Sequence, residues 1–362
     1  MSSKIYTKYL SETDYDEWNT SISKSQGGSI YSTSKYLDIL CKATGAKYKI
    51  LAALRGDEIV GGIGLYEQQE SHFGTSIFPR LLLYYNGIVL KDFDIKNSSK
   101  RTSLNLKITS VLEKVLSKAG YKGFELKSRS SFKEVRVFLA RGWDADLSYT
   151  YVVDCSDMNK LWDRIDQNLR RLIKRCAERN FHFSDDDDFD SLYRLHMQTH
   201  NRKGIQLYLP YKQFKCYFDT LKSKNLCRLY HIRLPNGQSI SSQLVLLGSH
   251  PVSHSVCAGT DVEYMNSGVS AYLRWKVFQD LSKLGYIAND LTDASLNPVT
   301  RFKSQLGADL KLCIKLSKLG GLSSHFNRII KDFKFCSKTI VASGIKKLGG
   351  KVKKKCDFSY WP

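Results

Sequence analysis

Two stretches half a chain apart repeat one pattern: LSKAGYKGFEL at residues 116–126 and LSKLGYIANDL at 281–291. They agree at Leu116/Leu281, Ser117/Ser282, Lys118/Lys283, Gly120/Gly285, Tyr121/Tyr286 and Leu126/Leu291, an offset of 165 residues (281 − 116). One such match could be chance, so the flanks decide. Upstream of the first, Leu104, Ile108, Val111, Leu112 and Val115 recur at three- and four-residue spacing. Upstream of the second, Val269, Leu273, Val277, Phe278 and Leu281 do the same. Both spacings predict an amphipathic helix. Each helix runs into a lysine and then a glycine, the expected stop. A short strand follows, GFELKS or YIANDLT.

Further upstream, each half carries a hairpin. YKILAAL and IVGGIGLYE flank a turn at Gly56 and Asp57; CRLYHIRL and SISSQLVLL flank Asn236-Gly237, a strong hairpin signal. A third strand comes next in each half, RLLLYYNGIVL or SHSVCAGTD. Helix, hairpin, strand, helix and strand therefore occur twice in one order, with loops of different length. That is the expected trace of a diverged duplication. A mixed sheet with a meander and a helical crossover is the plan of the Gcn5-related acetyltransferase (GNAT) fold. The expectation is an α/β protein with mixed sheets, built from two tandem GNAT-like domains at 1–150 and 151–318, and ending in a basic tail at 319–362.

The chain has 362 residues, enough for two domains. No stretch of about 18 apolar residues could span a membrane, and the start lacks a signal-peptide core. Nine scattered cysteines without a CxxC pair read as reduced thiols, so a cytoplasmic place is expected. Lys and Arg number 56 against 35 Asp and Glu, a net charge of +21. Such a balance favours an anionic partner: nucleic acid, phosphorylated substrate or anionic membrane surface.

Several second-half segments resemble the Fem-type peptidyltransferases and their relatives (FemAB-like), which carry two GNAT-like domains. These are NLRRLIKRCAERNF (168–181), LYRLHMQTHNRKGI (192–205), the strand, loop and helix from AGTDVEYMNSG onward, and NDLTDASLNPVTRFKSQLGADL, with Phe302-Lys303 as its most specific element. First-half likeness is looser, in SIYSTSKYLDIL and VGGIGLY. The resemblance implies transfer of an acyl group, typically an amino acid from aminoacyl-tRNA, to an amine on a cell-envelope precursor such as that of peptidoglycan. Such acceptors are nucleotide- or lipid-diphosphate-linked anions, in keeping with the charge. It also implies that Lys303 sits at the reacting carbonyl, where a cation stabilises an oxyanion.

Other candidates follow from residue chemistry. Arg202 in HNRKG could grip a phosphate bidentately, with Lys203 beside it and Lys35 in the first domain helping. Asp290 and Asp293 end the second crossover strand, where a base could take the ammonium proton, though either could instead cap a turn. Tyr264 could donate to the acyl carbonyl, or belong to the core. Phe302 would line the same substrate cleft. His196 and His200 stand four apart, as zinc ligands could, but no third ligand is evident and no metal is expected. The run Asp185 to Asp188 reads as an acidic helix start.

Coenzyme A-dependent GNATs usually carry Gln or Arg, two residues, Gly, one residue, then Gly or Ala before the second helix. Here the register reads MNSGVS: Met265 replaces the polar position, Gly268 is kept and Ser270 stands last. That leans away from coenzyme A, so the donor is expected to be aminoacyl-tRNA or, failing that, acyl-CoA, with no resident cofactor. A coenzyme A-dependent amino-sugar N-acyltransferase is the alternative enzyme. A non-catalytic basic nucleic-acid-binding module is the unlike one. The tail places ten cationic residues against Asp332 and Asp357, with Phe326, Ile329, Ile330 and Phe333 at helical spacing. It suits an anionic membrane surface or tRNA phosphates.

Overall fold

The computed structural model describes residues 4–70, 74–79, 82–202, 204, 207, 209–295 and 298–319. The first half runs β1 (Ile5–Tyr9), α1 (Tyr15–Lys24), α2 (Ser34–Thr44), β2 (Lys47–Arg55), β3 (Glu58–Glu70), β4 (Gly74–Ile77), β5 (Val89–Leu90), α3 (Ser98–Leu116), β6 (Gly123–Ser128), α4 (Arg136–Ala140) and β7 (Asp144–Asp154). The second runs α5 (Met158–Arg164), α6 (Gln167–Ala177), β8 (His182–Asp185), α7 (Phe189–Arg202), α8 (Tyr211–Ser223), β9 (Cys227–Arg233), β10 (Ser239–Leu246), β11 (Val252–Thr260), α9 (Val269–Lys283), β12 (Ala288–Asp290), α10 (Pro298–Gln305) and β13 (Asp309–Leu319).

The duplication is present residue for residue at its ends. Crossover strands β6 and β12 start 165 apart (288 − 123), and so do final strands β7 and β13 (309 − 144). Gly120 and Gly285 both take left-handed backbone (φ 72° and 86°), which glycine adopts without a Cβ penalty and which turns each helix into its strand.

One sheet of thirteen strands joins both halves, in the order β1-β2-β3-β4-β6-β13-β7-β12-β11-β10-β9-β8, with β5 beside β3. The centre shows a reciprocal exchange. Final strand β13 pairs antiparallel with the first half's β6, and β7 pairs with the second half's β12. Then β7 and β13 pair along most of their length, Asp309 opposite Val152 through Ser317 opposite Asp144. The boundary expected at 150/151 thus falls inside β7, and each half's sheet is completed by the other's last strand.

The cores follow the same logic. Leu316 of β13 is buried with Leu126, Ile108 and Leu112 in the first half. A second core buries Phe189, Phe214, Phe218 and Leu244 against Tyr36, Leu37 and Leu40 of α2. At roughly 1.5–3 kcal/mol per buried large side chain, separating the halves would forfeit much of the fold's stability.

One expected element differs. The third strand of the first half, read over 80–90, is regular only at β5 among the described residues. Leu82 is left-handed (φ 72°), and Asn86 substitutes its side chain for ladder bonds. Its Nδ2–H donates to the Glu125 carbonyl at 2.8 Å, and its Oδ1 accepts from the Lys127 amide at 2.9 Å. The segment carrying Tyr84 and Tyr85 is held against β6 as a loop.

Candidate active site

Strands β11 and β12 run parallel through three pairs, Val252–Ala288, Ser253–Asn289 and His254–Asp290, and then part. Crevices at the carboxyl ends of parallel strands are where open sheets bind ligands. Asp290 stands at the parting, 1% exposed. Its Oδ2 accepts from the Tyr85 hydroxyl (2.8 Å); its Oδ1 accepts from the Thr150 hydroxyl (2.6 Å) and the Thr292 amide (2.9 Å). Tyr85 comes from the first half and Thr150 from β7, so this carboxylate ties the halves together. Three donors and full burial make it a positioning group, because no substrate proton can reach it directly.

His254 Nδ1 lies 3.8 Å from Asp290, too far for a hydrogen bond. Burial lowers its pKa to about 3, so the ring is neutral. Among the described residues, neither of its nitrogens nor the Tyr31 hydroxyl, whose ring is 4.9 Å away, has a hydrogen-bond partner. Orphaned polar atoms of this kind are normally satisfied by water or ligand.

Beyond Asp290 the backbone takes a rare path: Thr292 and Asp293 are both left-handed, with φ 46° and 58°. Consecutive non-glycine residues in this region store strain, which clusters at functional sites. The turn aims its carbonyls at Lys303, in the last turn of α10. Its ammonium donates to the Asp293 carbonyl at 2.7 Å and to that of Thr292. Asp293 itself is exposed, and its Oδ1 accepts from the Ser295 hydroxyl at 2.7 Å.

The first half supplies the facing wall. Lys127 Nζ sits 3.4 Å from the Tyr84 ring centroid, a cation–π contact. Burial pulls this lysine below its ordinary range, opposed by Asp293 and Asp290 among other groups. Burial and then the charge of Asp293 push the Tyr84 phenol up. Tyr84 and Lys127 line a cleft of about 330 Å³ with Leu147, Ser148 and Lys315.

Of the expected residues, Lys303, Asp290 and Asp293 converge here. Arg202 ends α7, exposed, its guanidinium 3.3 Å from the Thr199 hydroxyl; Lys35 is exposed on α2. No contact joins either to Lys303 among the described residues. Tyr264 and Phe302 pack against the second-half core. Both are partly buried there, which for Tyr264 is the structural alternative. Lys203 and the tail beyond 319 lie outside the described residues. His196 is buried, its Nδ1 3.2 Å from the Ala258 carbonyl. The acidic run caps and pairs: the Ser191 amide donates to Asp188 (3.0 Å), and Arg233 clasps Asp186 and Asp188. No group of three or more metal-ligating side chains occurs among the described residues.

Sequence reasoning missed Tyr84, Tyr85, Lys127, Thr150 and His254. The signal for Tyr84 and Tyr85 was a Tyr-Tyr pair before Asn-Gly inside what read as an apolar strand.

The loop before α9 is packed against α6 at its last residue, Gly268. Gly268, left-handed at φ 89°, caps the helix, and a Cβ there would lie 2.7 Å from Cβ of Leu172 on α6. The Cys176 thiol donates to the Ser267 carbonyl at 3.3 Å. Helix α6 thus packs tightly against Gly268, at the start of α9 where a pyrophosphate would rest.

Residues 163–304 match the family model described as Acetyltransferase (GNAT) domain. Among solved structures, the chain is similar to FemX (12% identical, TM-score 0.65, covering 85% of this chain and 96% of that one). It is similar also to a tandem GNAT protein from the clavulanic acid biosynthesis pathway (10%, 0.52, 88% and 99%) and to L-PGS from Bacillus licheniformis (11%, 0.52, 90% and 97%). No curated protein matches it in sequence. The fold is the tandem GNAT fold, and residues 163–304 of its second half carry the matched acetyltransferase-type domain. No helix among the described residues is long and apolar enough to cross a membrane.

Proposed function

We propose that the chain moves an aminoacyl or acyl group onto the amine of an anionic cell-envelope or glycan precursor, with Lys303 at the reacting carbonyl. The observation that carries this reading is the strained Thr292–Asp293 turn, whose two carbonyls hold the Lys303 ammonium in one position. A fixed cation is what an acyl-transfer oxyanion needs, since pre-paid orientation costs nothing at the moment of reaction. The amine nitrogen attacks the ester carbon, forming a C–N bond and an oxyanion beside Lys303. The C–O bond to the donor ribose then breaks, and the ammonium proton passes to the leaving oxygen. Asp290 acts through Tyr85, holding the facing wall in register.

The close packing of Leu172 against Gly268 at the α9 terminus supports an aminoacyl-tRNA donor over a coenzyme A thioester, because it narrows the place where a pyrophosphate would meet the helix amides. The surplus of 56 basic over 35 acidic residues supports a nucleotide- or lipid-diphosphate-linked acceptor. The reading places the protein in the cytoplasm, with a peripheral position on the inner membrane face if the acceptor is lipid-linked.

The test pairs gel shifts of charged and uncharged tRNA with hydrogen exchange in acetyl-CoA. Tighter binding of one aminoacyl-tRNA than of its uncharged form is expected. Protection of residues 261–274 by acetyl-CoA, with no preference for charged tRNA, would overturn the donor assignment.

A further inference from the structure

The wall facing Lys303 carries a cation that the proposed reaction does not use. Lys127, near the end of β6, is 8% exposed. Among the described residues its ammonium forms no hydrogen bond and no ion pair. Its contacts are with rings, 3.4 Å from the centroid of Tyr84 and 5.8 Å from that of Tyr85. A buried charge is ordinarily paired, because desolvation makes it costly. Aromatic faces offset only part of that cost.

The neighbouring strand adds to the cost. Lys315 of β13 stands directly opposite Lys127 in register, and like charges in that position destabilise a sheet. Lys315 itself is compensated: its ammonium lies 3.6 Å from Glu125, and Asp146 of β7 stands opposite it on the other side. Lys127 has no such carboxylate. The cleft it lines, about 330 Å³, also presents the Ser148 hydroxyl and an apolar side made by Pro79 and Leu83. That is the lower end of the range for small-molecule sites, roughly 300–1,000 Å³. It suits one small charged group.

The duplication shows that the fold does not require this lysine pair. Adding 165 to 127 gives Thr292, and subtracting 165 from 315 gives Thr150, so the second copy is uncharged at both positions. The cleft also adjoins the reacting end of the molecule. The Tyr84 ring packs 4.8 Å from that of Tyr85, whose hydroxyl donates to Asp290 at 2.8 Å. Asp290 lies two residues before the turn that seats Lys303.

We infer that Lys127 holds an oxyanionic group of the acceptor, a carboxylate or a phosphate carried close to the reacting amine, in the cleft beside Tyr84 and Ser148. An ionised oxygen there supplies the missing partner, and charge-assisted bonds of this kind are the strong ones. The inference rests on the proposed reaction for which molecule carries the anion, but its test reads binding alone.

The test is calorimetric titration of the full chain, at about 0.15 M salt, with two pairs of amines that differ only in the anion. One pair is Nα-acetyl-lysine and its amide; the other is glucosamine 6-phosphate and glucosamine. In at least one pair the anionic member binds roughly tenfold more tightly, the size of one charge-assisted contact. The first pair reports a carboxylate, the second a phosphate. Lys127→Met keeps the stem, removes the ammonium and abolishes the preference. Lys315→Met, at the half-exposed rim, frees Glu125 to pair with Lys127 and lowers the preference as well. That second variant decides the matter if Lys127→Met melts early. Lys160→Met, 83% exposed on α5, leaves the preference intact. Equal binding within both pairs, a preference unchanged in Lys127→Met or in Lys315→Met, or one lost in Lys160→Met would each overturn the site. A chain that shows the preference but transfers nothing contradicts the reaction and keeps the site; transfer without the preference does the reverse.

Discussion

The Lys303 ammonium lies 2.7 Å from the main-chain carbonyl oxygen of Asp293, a residue held left-handed at φ 58°. A lysine ordinarily sweeps solvent on a flexible stem. Here the backbone bends into an unfavourable path and holds it in place. The strain and the cation belong to one device, at the parting of β11 and β12.

Removing the cation should therefore cost chemistry before stability. Lys303→Ala should lower transfer by about 10²–10³-fold, the range for loss of one oxyanion donor. Lys303→Arg should not restore it, because a planar fork cannot occupy the same two-carbonyl seat. Single-turnover rates beside thermal melts separate the two effects.

Asp290 and Tyr85 hold the halves in register, and their coupling is measurable. Asp290→Ala leaves the Tyr85 and Thr150 hydroxyls without their acceptor and should destabilise the fold by roughly 3 kcal/mol or more, at 1.5–3 kcal/mol per charge-assisted bond. Tyr85→Phe alone should cost about 1–3 kcal/mol. In a double-mutant cycle by urea unfolding the two should be strongly non-additive. Additive losses would mean that the bond contributes nothing.

Gly268 and Gly285 share left-handed backbone but not surroundings. A Cβ on Gly285 meets nothing within 4 Å, whereas one on Gly268 runs into Leu172 at 2.7 Å. Gly285→Ala should cost only the backbone penalty, about 1–2 kcal/mol. Gly268→Ala should cost visibly more by thermal melt. Equal losses would mean that α6 does not pack tightly against the α9 terminus.

Acid should unfold the protein through its buried histidines. Burial lowers His231 and His250 to about 4 and His254 to about 3, against about 6.5 unfolded. Below about pH 6.5 the unfolded chain binds protons that the native one refuses, so stability falls as pH falls towards 4. Each histidine contributes about 1.4 kcal/mol per pH unit once well below pH 6.5. Unfolding free energy between pH 7 and 4.5 should show this slope, and His254→Gln should flatten it by about a third.

The duplication was legible because its carriers are local. Helix spacing, the glycines at 120 and 285 and the hairpin turns are written within a few residues of where they act. The strand exchange was not, since the alternating residues of β7 and β13 would fit beside either crossover strand. Nothing local says that β13 chooses β6. The site was half legible for the same reason. Asp290, Asp293 and Lys303 sit on neighbouring elements of one motif, while Tyr85, Thr150 and Lys127 reach them only through the exchanged sheet.

The most direct test of the central claim is transfer itself: radiolabelled amino acids on a mixed tRNA pool, offered to a nucleotide-linked muropeptide amine by the wild-type chain and by Lys303→Ala. The account predicts an amide product from one or a few aminoacyl-tRNAs. It predicts that Lys303→Ala, with unchanged melting temperature and tRNA binding, forms that product at least about 100-fold more slowly. Equal rates for the two proteins, or no amide from any aminoacyl-tRNA with the wild type, would contradict it.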